Sequence, residues 1–297
     1  MFEGFPTLRG VLLALLLAAL SIPSVLDAQR RGGQPKRRAD AKLERVTIPG
    51  GPLETPAGRL TIVADLYMKH AQDAPFLVLF HSTGGSRGEY RKAGITLSDM
   101  GYNCLAVDMR VGGRSDFVRN LTRPQLFQHG VQATVLDVVP DIINSLKFAR
   151  ENYAEGPLLC VGSAASATLC MLVANEHPEL LDGLFLFSPP VGYFEQFEKP
   201  ADWARRLSKK VKCPTFLTGL RSSKKELQAV FDGLGTKQKM FFEPGGPGVH
   251  GAKALWPKEP RHVEYWGALT TFLEVHFPLP EGSAAKAEPG DVEGEGD

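Results

Sequence analysis

Neither sign of charge dominates this sequence: 34 Lys and Arg stand against 33 Asp and Glu, a formal net charge of +1. A chain with no basic excess has no overall field for a nucleic-acid backbone, so nucleic acid is not an expected partner. Cysteine is scarce as well. The four present have no Cys-x-x-Cys or Cys/His spacing, which argues against a structural zinc site and a disulfide-stapled scaffold. The longest strongly apolar run is the ten residues Val11–Leu20, half of the roughly 20 that a membrane-spanning helix needs. Phosphate-binding and dinucleotide fingerprints are also missing, and Gly84-Gly85-Ser86-Arg87-Gly88 lacks the spacing of either. No motif therefore calls for a metal or a cofactor.

The composition is otherwise that of a globular chain, 43% apolar and 23% charged, with two unusual ends. Residues 1–28 have a short start with Arg9, the apolar run, and a segment with Pro23 that ends at Ala28, the pattern of a secretory signal peptide. The mature chain is expected to be exported, periplasmic or extracellular, without a transmembrane span. Residues 29–43 read as a basic flexible arm; from Gln29 to Thr47 seven Lys and Arg face only Asp40 and Glu44. Residues 279–297 read as an acidic disordered tail, in which six Asp and Glu face only Lys286. The two ends cancel in the net charge.

Residues 44–278 carry no internal repeat and no long linker, and read as one α/β domain. Short runs rich in Val, Leu and Phe alternate with segments of helical period, the signature of a parallel sheet with crossover helices. Strands are predicted at 44–48, 60–67, 76–80, 103–107, 158–161, 183–187, 215–218 and 239–242. Val135, Val138, Val139, Ile142, Leu146 and Ala149 form one apolar helical stripe, with Pro140 marking its start or a kink. Two more helices are predicted, a buried one over 165–175 and a C-terminal one over 263–275.

The stretch Leu158-Leu159-Cys160-Val161-Gly162-Ser163-Ala164-Ala165-Ser166-Ala167 joins an apolar strand to a buried helix through a run of small residues. That is the context of a nucleophile elbow, a Gly-x-Ser-x-Gly turn that lifts a serine above the sheet. Gly162 and Ser166 fill the two small positions. Between them, where the serine belongs, stands Ala164.

Several segments together resemble the α/β-hydrolase superfamily, especially secreted bacterial relatives of dienelactone hydrolases and small esterases. Phe76 to Tyr90 resembles a central strand with its oxyanion-hole loop, and Tyr102 to Gly113 the next strand with an Asp-x-Arg-x-x-Gly loop. Gly183 to Phe194 resembles a strand with a Ser-Pro ending, and Gly248-Val249-His250-Gly251 the loop that presents the catalytic histidine. The resemblance implies a mostly parallel, roughly eight-stranded sheet flanked by helices with a minimal lid. It implies His250 as general base and an oxyanion hole from the amides of Ser82 or Thr83 and of Ala165, with His81 shaping the loop. The triad acid has no residue at its usual place; Glu226 is the nearest carboxylate, with Asp232 and Glu195 as substitutes.

Three functional expectations follow. One is an esterase-related chain with weak or no serine-hydrolase activity, because Ala164 has no nucleophilic atom. The second is a non-catalytic protein that binds a small ester or acyl ligand, or a partner. The third is an active esterase using Ser166 or Ser163.

Overall fold

The computed structural model describes residues 43–52 and 58–281. The predicted signal peptide, the arm up to Lys42 and the tail beyond Glu281 lie outside the described residues. Among the described residues ten strands run in chain order: β1 Leu43–Pro52, β2 Arg59–Tyr67, β3 Phe76–Phe80, β4 Asn103–Asp108, β5 Arg114–Ser115, β6 Val118–Arg119, β7 Leu158–Ser163, β8 Gly183–Phe187, β9 Thr215–Thr218 and β10 Lys239–Phe242. The helices are α1 Arg91–Asp99, α2 Arg123–Gln128, α3 Val139–Asn152, α4 Ala165–Glu176, α5 Trp203–Ser208, α6 Lys224–Gly233 and α7 His262–His276.

Eight strands form one sheet in the order β1-β2-β4-β3-β7-β8-β9-β10. The β1/β2 and β2/β4 pairs are antiparallel and the others parallel. Each predicted strand is present, because the central runs are apolar at every position and a strand with helices on both faces buries both of its sides. The period of two decides which side: Phe76, Val78 and Phe80 join the core on one face, Leu77 and Leu79 the core on the other. The first face is filled by α3 and α4 through Ile142, Leu146, Leu169 and Val173. On the second face Trp266, Leu269 and Phe272 of α7 meet Phe185 and Phe216.

Pro140 lies in the first turn of α3, after a 3-10 turn over Leu136–Val138, where its missing N–H costs no helix bond. The sheet register then sets the site. Phe80 pairs with Gly162 and Ser163 with Phe187, so β3, β7 and β8 end side by side at their carboxyl edge. The little hairpin β5/β6 stands at the same edge, tied to the loop after β3 by Gly113 N–H donating to Gly85 O at 2.7 Å.

Candidate functional site

Ala164 is the bend between β7 and α4, with φ 54° and ψ −125°. A side chain on Cβ makes this backbone unfavourable by about 1–3 kcal/mol, so the surroundings must hold it. They do so from both sides. The Ala164 N–H donates to Phe187 O at 2.8 Å, and Ala167 N–H donates to Ala164 O at 2.9 Å. Gly162 lets strand and helix close up: a Cβ there would stand 2.4 Å from the Ala167 Cα. Ala164 is therefore on the strained turn itself, with Ser163 just before the bend and Ser166 already inside α4.

Those serines are committed elsewhere. Ser166 is buried; its Oγ accepts the Ser163 N–H at 2.8 Å and lies 2.9 Å from the carbonyl oxygens of both Phe80 and Ser163. Ser163 is buried too, donating its hydroxyl to Glu89 Oε1 and accepting the Ala252 N–H at 2.9 Å. A hydroxyl has one proton and two lone pairs, so little capacity is left for an incoming substrate.

No pattern in the sequence singles out Glu89, yet it stands at the centre of this network. It is 1% exposed, and its second oxygen accepts both the Ser82 N–H at 3.0 Å and the Ser82 hydroxyl at 2.8 Å. The Ser82 amide, expected to serve an oxyanion, thus already serves a side-chain carboxyl group. Nothing in the spacing ties Glu89 to Ser163, 74 residues away. Thr83 is half-buried in the same turn, and Ala165 opens α4, where the first amides have no acceptor within the helix. His81 is fully buried. Its Nδ1 meets Ser82 O at 2.7 Å and its Nε2 accepts the Met109 N–H at 3.1 Å, contacts that fit the tautomer protonated at Nδ1.

The loop that carries Glu89 is fixed by a buried ion network. Asp108 accepts the Arg87 N–H and the Leu121 N–H, at 2.7 and 2.8 Å, and pairs with the Arg87 guanidinium. Asp65 stands 3.0 Å from Arg87 Nε. Burial opposes the charge on Arg87, but these two carboxylates outweigh it and hold its pKa above the ordinary value.

His250 stands two residues after Gly248, whose φ of 81° suits glycine, and caps a 3-10 turn over Gly251–Leu255. The loop is anchored at the carboxyl edge by Gly251 N–H donating to Ser188 Oγ at 3.0 Å and by the Ala252–Ser163 bond. Ser188, the serine of the Ser-Pro ending, follows β8 directly with φ 54° and joins the site through its bond with Gly251. The His250 side chain is exposed and lines a cleft of about 350 Å³ with Pro244, Val249, Glu259, Arg261 and Tyr265. Glu226 does not share it. It is exposed in the first turn of α6 and lines another cleft, with Val191, Asp202 and Arg205. Asp232 accepts a bond from Gln228 one turn away on α6, and Glu195 sits in the 3-10 turn Tyr193–Phe197. Glu259 is the carboxylate lining the His250 cleft. Among the described residues no group of three His, Cys, Asp or Glu could hold a metal ion. No helix among them is long and apolar enough to cross a membrane.

Residues 71–231 match the profile of a family described as serine aminopeptidase, S33. No curated protein matches the sequence. Among solved structures, a dienelactone hydrolase from Anabaena variabilis superposes with TM-score 0.57 at 14% identity, over 81% of this chain and 100% of that one. An esterase from Pyrococcus furiosus gives 0.55 at 15% identity, over 80% and 91%. A cold-adapted esterase from an Arctic intertidal metagenomic library gives 0.53 at 19%, over 82% and 98%. At these identities the likeness is one of fold.

Proposed function

The chain belongs to the serine aminopeptidase S33 family of α/β hydrolases, and we propose that within it this is an esterase-related member whose serine-hydrolase activity is weak or absent. The observation that carries the reading is the bend at Ala164. The strained backbone that would raise a nucleophile is in place, and a methyl group stands on it. Loss of the nucleophile from this mechanism costs about 10⁶ in turnover, and what remains over water comes from oxyanion donors and binding. Of the amides expected as oxyanion donors, that of Ser82 is already engaged by Glu89, which leaves those of Thr83 and Ala165.

In this reading the chain is exported and binds a small ester or acyl compound instead of cleaving it. The alternative, hydrolysis through Ser163 or Ser166, would require a hydroxyl to leave the bonds that tie Ser163 to Glu89 and Ser166 to the Phe80 carbonyl. A fluorophosphonate probe separates the two, because it labels a serine only where a base activates it. The expected result is no labelled peptide and no turnover of a p-nitrophenyl ester above background. A label on Ser163, Ser166 or Ser188 would overturn the proposal and name the nucleophile.

A further inference from the structure

The hairpin β5/β6 breaks two rules at once. Its two turn residues, Asp116 and Phe117, have φ of 41° and 61°, the pair of positive values that favours Asn-Gly in a two-residue hairpin turn. A phenylalanine at the glycine place is strained. It is also the most exposed large apolar side chain among the described residues, at 83%. At that exposure packing offsets neither cost, and the Arg114 guanidinium lies 5.4 Å from the ring centroid.

The surroundings repeat the same chemistry. Arg114 pairs across the hairpin with Arg119. Arg123 donates to Gly112 O at 2.8 Å and lies 5.0 Å from the centroid of Phe127, which is 57% exposed. Leu121 is exposed as well. From Val111 to Val135 the only acidic residue is Asp116, and Arg114, Arg119 and Arg123 form no ion pair among the described residues. The base of the hairpin is fixed: Ser86 Oγ donates to Val118 O at 2.7 Å and accepts the Ser115 N–H at 3.1 Å. The result is an anchored prong with an aromatic tip, accompanied by guanidinium groups that no described carboxylate neutralises.

We propose that this prong docks the protein on an anionic lipid surface, with Phe117 entering the interfacial layer while Arg114, Arg119 and Arg123 meet lipid phosphates. Arginine binds phosphate through its planar fork, and an aromatic ring settles at the depth where apolar and polar layers meet. Charge complementarity selects the anionic surface. The acidic C-terminal segment of the chain has the charge to meet the arginines but offers only Val292 beyond Pro280 as a larger apolar partner for the rings, so it satisfies half of the patch.

The test is co-sedimentation of the full chain with vesicles of phosphatidylcholine alone or mixed with phosphatidylglycerol. Binding is expected to the anionic vesicles only and to fall with added salt. Phe117→Ser should weaken it about tenfold, and Arg114→Gln with Arg119→Gln by about tenfold or more. The basic segment 29–47 is unchanged in all variants. Phe117→Trp gives a second readout, an emission maximum that moves to shorter wavelength with anionic vesicles and stays put with neutral ones. Equal binding by the Phe117→Ser chain, equal binding to neutral vesicles, or an unmoved Trp emission would each overturn the proposal. So would a dimer in the absence of lipid that Phe117→Ser dissolves, which would give the patch to a second copy. Vesicle binding that appears only after removal of residues 282–297 would give it to the tail and overturn the proposal equally.

Discussion

An ester hydrolase needs hydrogen-bond donors where the tetrahedral oxygen gains its charge, and Glu89 places two acceptor atoms against Ser82 and Ser163, at the carboxyl edge where such donors were expected. Its oxygens bond Ser163, the Ser82 amide and the Ser82 hydroxyl, joining the loop after β3 to the end of β7. Ser163 passes the connection on to Ala252 in the His250 loop. A hydroxyl so placed acts on stability. Ser163→Ala leaves a buried carboxyl oxygen and the Ala252 amide short of a partner, and Ser166→Ala does the same to the Ser163 amide. Each is expected to cost about 1–3 kcal/mol. Urea unfolding should show this as a lower midpoint with the slope unchanged. A substitution that left the midpoint in place and removed an ester-hydrolase activity would instead identify a nucleophile.

Among the elements, some announce themselves in the sequence and others do not. The central strands of the sheet are legible because buried parallel strands are apolar at successive positions, as in Phe76-Leu77-Val78-Leu79-Phe80, whereas β1 shows itself by alternation, with Val46, Ile48 and Gly50 buried between exposed residues. The elbow is legible because its small residues are local, Gly162 above all. By contrast α6 buries only Leu227 and Val230, too few for a stripe, and the β5/β6 turn lacks the glycine that would announce it. Glu89 is hidden because its partners lie on other elements, and no residue pattern near it records them. The local signal at Gly162 also gives a sharp expectation. A methyl group there would meet the Ala167 Cα at 2.4 Å, backbone that cannot turn aside. Gly162→Ala should cost about 3 kcal/mol by overpacking. Thermal unfolding would read this as a clear drop in midpoint, and an unchanged midpoint would mean that α4 sits further from β7 than described.

Across the fold, the four thiols are spread through the sheet and its borders, and all are free. Cys104 and Cys160 lie in β4 and β7, and burial pushes both thiols well above their ordinary pKa. Cys170 is buried in α4. Cys213, before β9, is half-buried and is pushed up to about 12, mainly by burial. The thiolate is the reactive form, so at pH 8 these shifted groups are short of both charge and access. A raised thiol pKa favours the protonated form in the fold, which means that the native chain gains reactivity only as pH climbs toward that raised value. Reaction at pH 8 must therefore wait for opening. Cys104, Cys160 and Cys170 sit between sheet and helices, so their exposure requires the layers to separate. Iodoacetamide at pH 8 is then expected to leave these three unmodified over hours in the native protein and to modify all four in denaturant. With a domain stability of about 5–15 kcal/mol the open fraction is at most about 10⁻⁴, and alkylation slows in proportion. Cys213, nearer the surface, should react first. Rapid modification of Cys160 in the native chain would show that β7 and its elbow open locally, without unfolding of the sheet.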